Sequence, residues 1–190
     1  MCPFYSIPGE SFEWLSIEEF SAKFHECWEE TSVSFEKIEA CPVFVEDDDE
    51  SFNLFLAGQL TESQEIVKAR VASQSDMYRS FQERGGRIRR LRIVGRPLTS
   101  YIADYESAAY EAASEIGEVV SYVQESDIPE DLQLACRDML VFDRNKILVH
   151  AYTPWGRMLG GYYSDSPSVL SDASTLLDRL DELASPVPPS

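Results

Sequence analysis

The hydrophobic pattern of residues 88–183 changes its period several times, and this alternation narrows the folds open to the chain more than any other feature. Ile88–Val94 has a period of two, which predicts a strand with Arg90 and Arg92 on one side. Strands are also predicted at 119–123, 139–142, 146–152 and 157–163, before a closing amphipathic helix from Pro167 to Leu183. Between the first two strands, apolar residues at steps of three and four predict a helix: Tyr101, Tyr105, Ala108, Ala112 and Ile116.

Residues 1–86 favour helices over strands. Ser16–Glu19 matches a capping box, and the apolar spacing after it predicts a helix to about Glu30. Val33–Ile38 predicts a short strand, and residues 52–56 predict a short helix. Thr61–Gln64 matches a second capping box, which precedes a helical stripe that ends at the glycines of positions 85 and 86.

We therefore expect an α/β fold of the mixed α+β kind, with one mixed sheet of five to six strands covered by helices. The expected organisation is an N-terminal helical, acidic portion at 1–86 and a strand-helix-strand, three-strand and closing-helix unit at 87–184. A tail follows at 185–190. With 190 residues, the chain is long enough for one core, so we expect one globular unit.

Negative charge dominates the composition and is unevenly placed. The chain carries 34 acidic and 16 basic side chains, for a net charge of −18. Residues 1–67 hold 16 acidic and 2 basic side chains, so most of the excess lies in the N-terminal third. Duplex DNA and anionic membranes attract basic surfaces, so neither is expected as a direct partner. The composition favours a basic partner.

The first residues, MCPFYSIPGE, have neither a basic segment nor an apolar segment of a signal peptide, and no run of about 18 apolar residues exists. We therefore expect a cytoplasmic protein without a membrane span. Cysteines and histidines are too scattered for a zinc site: Cys2, Cys27, Cys41, Cys136, His25 and His150. The expectation is reduced, mostly buried thiols, with neither a metal nor a cofactor.

Two features are candidates for an interaction surface. One is an unbroken acidic run, namely Glu46, Asp47, Asp48, Asp49 and Glu50. It lacks the alternating ligands and the glycine of a calcium loop, so its functional interpretation is electrostatic docking, and a solvated loop is the alternative. The other is Trp155, which lies in a Pro-x-Gly turn where a large aromatic side chain is expected to be exposed.

The arginine strand is a candidate phosphate-ligand site. Arg90 and Arg92 could accept a phosphate, with Tyr101 nearby for stacking and with His150 and Tyr152 in step on a later strand. The alternatives are internal pairing of these arginines with the acidic N-terminal portion and a structural histidine. The acidic run and the arginines could also pair between two copies of the chain, which leaves a homodimer open. No residue is expected to be catalytic.

Four segments resemble a known family: Arg89–Val94, Pro97–Tyr101, Leu140–Asp143 and Tyr152–Gly161. The chain is similar to uncharacterised actinobacterial proteins, known as a domain of unknown function, that are commonly encoded beside small helix-turn-helix regulators of the Xre or WhiJ type. The likeness extends over residues 11–184 and is specific from residue 86 onward. Thr153 replaces the usual acidic residue after the hairpin tyrosine. The resemblance implies a partner that is a basic helix-turn-helix DNA-binding protein.

The strand order also resembles half of a phospholipase D-type domain, which implies a phosphodiester-cleaving ancestry. Such enzymes need His-x-Lys followed four residues later by Asp, whereas His150 is followed by Tyr152 at the second position. The fold can be shared without the chemistry.

Our leading hypothesis is a non-enzymatic regulatory or interaction protein that docks on a helix-turn-helix transcription regulator through its acidic surface. The alternative is a diverged phosphodiesterase or nuclease, or a sensor of a phosphate ligand, that uses the arginine strand and His150. A third hypothesis is an acidic mimic of nucleic acid. Whether the chain is an enzyme stays open at this point.

Overall fold

The computed structural model describes residue 9 and residues 11–188 of the chain, and its centre is one seven-stranded mixed sheet. The strand order is β1-β7-β6-β5-β2-β3-β4. Strands β2, β3 and β4 are parallel to one another, and the other neighbours are antiparallel. The strands are β1 Glu13–Leu15, β2 Ser34–Glu39, β3 Arg87–Val94, β4 Val119–Gln124, β5 Met139–Phe142, β6 Lys146–Tyr152 and β7 Met158–Ser164.

Seven helices accompany the sheet in the described residues. They are α1 Ile17–Glu30, α2 Glu50–Leu56, α3 Leu60–Ala72, α4 Ser75–Glu83, α5 Ser107–Glu115, α6 Glu130–Gln133 and α7 Pro167–Leu183. A π-helical turn at Tyr101–Glu106 leads directly into α5, and a 3₁₀ turn at Glu125–Asp127 precedes α6. None of the helices in the described part of the chain is long and apolar enough to cross a membrane.

The two faces of the sheet are covered by different helices. Because successive side chains of a strand point to opposite faces, Leu91 and Ile88 belong to different cores. Helix α7 packs Leu177 and Leu180 into the core that contains Leu91. On the other face, Phe20 of α1 shares a core with Ile88, and α2, α3 and α5 cover the end of that face near Val94 and Tyr101.

The predicted fold class is confirmed, and the structure adds one strand to the six that the sequence predicts. The additional strand is β1, which pairs with β7 through Leu15 and Gly161. Because β2 lies between β5 and β3, residues on both sides of position 86 contribute to the same sheet. The capping box at α1 is confirmed, with the Ser16 hydroxyl accepting from the backbone N–H of Glu19.

Two local predictions in the helical region are wrong. The second capping box does not form, because α3 begins one residue before Thr61 and Gln59 precedes it without a side-chain cap. The helical stripe through Phe81 belongs to two helices, which are separated at residues 73 and 74. The Ser73 hydroxyl donates to the Arg70 carbonyl at 2.6 Å, a local bond that competes with continuation of a helix.

The cysteines agree only in part with the expectation of reduced thiols. Cys27 and Cys136 are free and buried, as expected. Cys41 instead forms a disulfide bond. The sequence pattern did not predict it, because the chain has no Cys-x-x-Cys spacing that would indicate a pair. Cys2 lies outside the described residues.

Candidate functional site

The acidic run lies in the segment that leaves β2 and enters α2. Residues 46–49 form a loop and turn, and Glu50 is the first residue of α2. Asp49 is the N-cap of this helix, where its carboxylate accepts from the backbone N–H of Phe52 at 3.1 Å. The same carboxylate forms an ion pair with Arg70 at 2.7 Å. Asp49 therefore stabilises the start of α2 and is not free to bind a partner.

The turn between β6 and β7 packs directly against the acidic run. The backbone N–H of Val45 donates to the carbonyl of Gly156 at 3.0 Å. Asp47 forms an ion pair with Arg157, two residues after the tryptophan. Trp155 itself is 75% exposed, which confirms the exposure that its turn predicts. The structure thus places the acidic run and Trp155 on one surface, although they are more than 100 residues apart in sequence.

An open groove of about 500 Å³ lies between the acidic run and the start of α1. Ile17, which is 51% exposed, lines this groove together with Val45 and Met158. The remaining carboxylates of the run, Glu46, Asp48 and Glu50, are exposed and make no ion pair with the described residues. We define the docking surface as Ile17, Glu46, Asp48, Glu50 and Trp155.

A second group of residues forms a buried charged cluster on the face of the sheet that α1, α4 and α5 cover. Lys37 and Glu39 of β2 lie beside Arg90 and Arg92 of β3 in the parallel register. Their partners come from elsewhere in the chain. We define the charged cluster as Lys37, Glu39, Arg90, Arg92, Glu106, Tyr110, Glu118 and Asp138.

Glu118 joins the two neighbouring cations of this cluster. Its Oε1 accepts from Nε of Arg90 at 2.7 Å, and its Oε2 accepts from Nζ of Lys37 at 3.0 Å and from the Tyr78 hydroxyl at 3.1 Å. Burial disfavours the charged carboxylate, but the positive charges of Arg90 and Lys37 outweigh it and lower the pKa of Glu118 to about 2. Burial together with Arg90 lowers the pKa of Lys37 to about 8.

Arg92 lies deeper than Arg90 and is completely buried. Its Nη2 donates to Oε2 of Glu106 at 3.0 Å, and the Tyr110 hydroxyl lies 2.5 Å from the same carboxylate oxygen. The same hydroxyl lies 3.1 Å from a carboxylate oxygen of Glu39, so its single proton is shared between the two carboxylates. Nε and Nη1 of Arg92 have no hydrogen-bond partner in the structure. Unmade hydrogen bonds of a buried charged group are costly, so these two N–H groups distinguish Arg92 from the other cations of the cluster.

Asp138 is the other incompletely bonded member of the cluster. Its Oδ1 accepts from the backbone N–H groups of Ala40 at 2.5 Å and Cys41 at 3.2 Å, and so fixes the chain where it leaves β2. Its Oδ2 has no partner in the structure. Burial raises the pKa of Asp138 to about 7, against the opposing effect of these two backbone bonds.

Aromatic rings connect the charged cluster to the remaining predicted site residues. Phe44 lies over the guanidinium of Arg92 at 5.7 Å and contacts Tyr101 and Tyr152, with ring centroids 6.1 and 5.5 Å apart. Tyr152 stacks on His150 at 5.8 Å. Three of the five residues that we predicted as a phosphate-ligand site therefore contact Phe44, and His150 is linked to them through Tyr152. Arg90 forms an ion pair with Glu39, whose strand position lies beside Arg92.

His150 lies in an apolar setting rather than beside a phosphate site open to solvent. Its ring is 4.7 Å from that of Phe20, and its Nδ1 lies 3.4 Å from the carbonyl of Asp138. Burial lowers the pKa of His150 to about 4, so the ring is neutral at pH 7. Arg92 can contact a phosphodiester only if the groups that cover it move.

Internal pairing accounts for most of the positive charge. At least eleven of the 16 lysines and arginines form ion pairs with carboxylates. The partners of Arg90 come from both parts of the chain, because Glu39 precedes residue 86 and Glu118 follows it. Arg90 and Arg92 are thereby engaged within one chain. Among the described residues, no group of three or more His, Cys, Asp or Glu side chains is arranged to hold a metal ion.

The sequence did not single out the carboxylates of the charged cluster. Glu39, Glu106, Glu118 and Asp138 belong to no motif, and each follows or precedes an apolar segment as ordinary surface residues do. One feature of the sequence could have indicated these carboxylates. Two arginines on the same side of an otherwise apolar strand require counter-charges when the strand is buried, so acidic residues at the ends of neighbouring elements were the candidates.

The chain has relatives in sequence and in fold. Residues 22–188 match the family model described as a domain of unknown function, DUF6879. No curated protein matches the chain in sequence. A solved structure of TrmBL2, described as an archaeal chromatin protein with a novel mode of DNA binding, superposes with a TM-score of 0.48 at 13% identity. The superposition covers 95% of this chain and 56% of TrmBL2, so the chain spans little more than half the length of that protein.

Proposed function

The chain belongs to the DUF6879 family, and we propose that it is a non-enzymatic regulatory protein that binds a basic helix-turn-helix DNA-binding protein through the docking surface. The proposed setting is the cytoplasm, where such a transcription regulator acts. The regulator as partner follows from the resemblance described above, in which members of this kind are encoded beside such regulators.

One observation carries the proposal: the contact between the acidic run and the β6–β7 turn. The hydrogen bond from Val45 to Gly156 and the ion pair of Asp47 with Arg157 hold an exposed tryptophan beside exposed carboxylates. Tryptophan is enriched among the residues that contribute most of the energy of protein–protein binding. The carboxylates favour a basic partner and increase its rate of association.

The test is the affinity of the purified chain for a helix-turn-helix regulator of the kind that the resemblance implies. Replacing Trp155 with Ala removes the aromatic anchor, and we expect about 30-fold weaker binding, which corresponds to about 2 kcal/mol. The double variant Asp48→Asn, Glu50→Gln should weaken binding at about 50 mM salt and have a smaller effect at about 500 mM, because salt screens exposed charges.

A matched control uses carboxylates away from the docking surface. Asp172 and Glu182 are exposed residues of α7, on the other face of the sheet. The double variant Asp172→Asn, Glu182→Gln changes the net charge by the same amount and should leave the affinity within twofold of wild type. Equal loss of affinity in both double variants would show that only net charge matters, and would contradict a localised docking surface.

A second candidate function is the sensing of a phosphate-bearing ligand by the charged cluster. The two unpartnered N–H groups of Arg92 favour it, because an anion would complete their hydrogen bonds. Its test is a titration with inorganic phosphate. A saturable rise of the melting temperature that is absent in the Arg92→Met variant supports the candidate, and an unchanged melting temperature of the wild type contradicts it. The neutral His150, half-buried against Phe20, gives no reason to propose a phosphodiesterase.

A further inference from the structure

A cleft of about 520 Å³ opens at the carboxyl ends of the three parallel strands. Its walls are the segments that follow these strands: Ala40 and Pro42 after β2, residues 95–102 after β3, and residues 125–136 after β4. The cleft is distinct from the docking surface and from the charged cluster, whose residues do not line it. In open sheets with parallel strands, ligands bind outside the carboxyl ends of the strands, and this volume suits a small molecule.

The interior of the cleft is apolar. Ile93, Ile102, Ile128 and Cys136 line it and are each at most 6% exposed. Leu134 lines it as well, and its side chain is 87% exposed. An apolar ligand in the cleft would remove part of the Leu134 surface from water, which favours binding. Burial raises the pKa of Cys136 to about 11, so its thiol is an uncharged part of the wall.

Two of the polar side chains in the cleft already have partners. The Thr99 hydroxyl donates to the carbonyl of Pro42 at 3.2 Å and accepts from the backbone N–H of Ile102. The amide of Gln133 donates to the carbonyl of Ile128 at 3.1 Å. Their hydrogen-bonding groups are therefore less available to orient a ligand.

Glu125 is the charged side chain that lines the cleft. It is exposed, and it makes no ion pair with the described residues. Its Oε2 lies 3.5 Å from the point where a Cβ on Gly95 would stand, so the carboxylate reaches across to the segment after β3. Residues 119–136 also contain Asp127, Glu130 and Asp131 but no lysine or arginine, and Arg137 follows directly. Arg96 is exposed nearby but does not line the cleft.

We propose that this cleft binds a small molecule with an apolar body and a protonated amine. The apolar body lies against Ile93, Ile128 and Leu134, and the ammonium group pairs with Glu125. The Glu125 carboxylate repels a carboxylate or phosphate on the same body. The site is independent of the proposed docking surface, and its test uses none of the residues of that surface.

The test is a titration of the ¹⁵N-labelled chain with three probes that share a phenyl ring and a short linker: phenethylamine, 2-phenylethanol and 3-phenylpropionate. Saturable shifts should appear at the backbone amides of Gly95, Ile128 and Cys136, with the amine binding most tightly and the carboxylate least. The amide of Cys27, which is also a buried free cysteine but lies in another core, should not move.

Two variants assign the charge selectivity to one side chain. Glu125→Gln should weaken phenethylamine binding about tenfold and leave 2-phenylethanol unchanged, because a partly desolvated ion pair contributes about that factor. Glu130→Gln removes a carboxylate of the same segment that does not line the cleft, and it should change neither affinity by more than twofold. Both positions are exposed, so the variants keep the fold.

Three results would overturn the proposal. One is the absence of saturable shifts at these amides with any probe up to about 20 mM, a range that detects even very weak binding. Another is binding of 3-phenylpropionate as tight as that of the amine. The third is an equal effect of the two variants, which would assign the selectivity to overall charge instead of to Glu125.

Discussion

Replacing Glu118 with Gln should destabilise the protein, because its carboxylate neutralises two buried cations of the cluster. The carboxylate accepts three hydrogen bonds, from Arg90, Lys37 and Tyr78, and is 3% exposed. A carboxamide has one acceptor oxygen, so its NH₂ group would face at least one of these donors. Breaking a buried ion pair by removing one partner costs about 3–5 kcal/mol. Because Lys37 has a pKa of about 8 and can lose its proton, we expect a loss of stability at the lower end of this range, about 3 kcal/mol.

The assay is urea unfolding of the wild type and the variant at pH 7, with equal m-values as the check that both unfold alike. For a chain of this length, the expected loss corresponds to a melting temperature lower by about 10 °C. The control is Glu111→Gln, because Glu111 forms an exposed ion pair with Lys68 at 3.0 Å and should contribute nothing measurable. A loss below about 1 kcal/mol for Glu118→Gln would refute the reasoning.

The pH dependence gives an independent check on Glu118. Its pKa is lowered from 4.5 to about 2 in the folded state, so its contribution is complete above pH 4.5 and disappears as the pH falls toward 2. The difference in stability between wild type and Glu118→Gln should therefore shrink over this interval. A difference that stays constant down to pH 2 would contradict the lowered pKa.

Three further predictions concern single residues. The pKa of Asp138 is raised from 3.8 to about 7, so this group stabilises the fold below pH 4 relative to neutral pH. In urea unfolding, the wild type should therefore lose stability as the pH rises from 4 to 7, and the Asp138→Asn variant should lose less. Tyr110→Phe removes the hydroxyl that lies 2.5 Å from Glu106 and should cost about 1–3 kcal/mol in the same assay, and no loss would show that the two groups are not bonded. Gly161→Ala should reduce soluble expression or lower the melting temperature by about 5 °C or more, because the added methyl group would overlap the ring of Phe20; a wild-type melting temperature would contradict this packing.

The periods of the apolar residues predict most of the fold. Six strands and the closing helix follow from patterns that are local in sequence, such as the alternation in Ile88–Val94. Strand β1 could not be predicted in this way. It has three residues and forms by pairing with β7, where Leu15 lies opposite Gly161, 146 residues later in the chain. The absence of a side chain at Gly161 also leaves room for the ring of Phe20.

The sequence predicts individual residues of the candidate site but not the contacts between them. Alternation placed Arg90 and Arg92 on one side of a strand, but their burial depends on Glu106 and Glu118, which approach from a helix and a turn. The acidic run and Trp155 were each identified as candidates from the sequence. The contact between their segments could not be predicted, because it depends on how the β6–β7 turn packs on the loop after β2.

The proposed docking on a helix-turn-helix regulator is tested most directly by a map of the surface of this chain that such a regulator covers. Amide hydrogen exchange of the free chain and of the complex would locate it. We expect protection at residues 43–50 and 153–157, with α7 and residues 125–136 unchanged. Protection concentrated on α7, or none at residues 153–157, would contradict the docking surface and with it the proposed function.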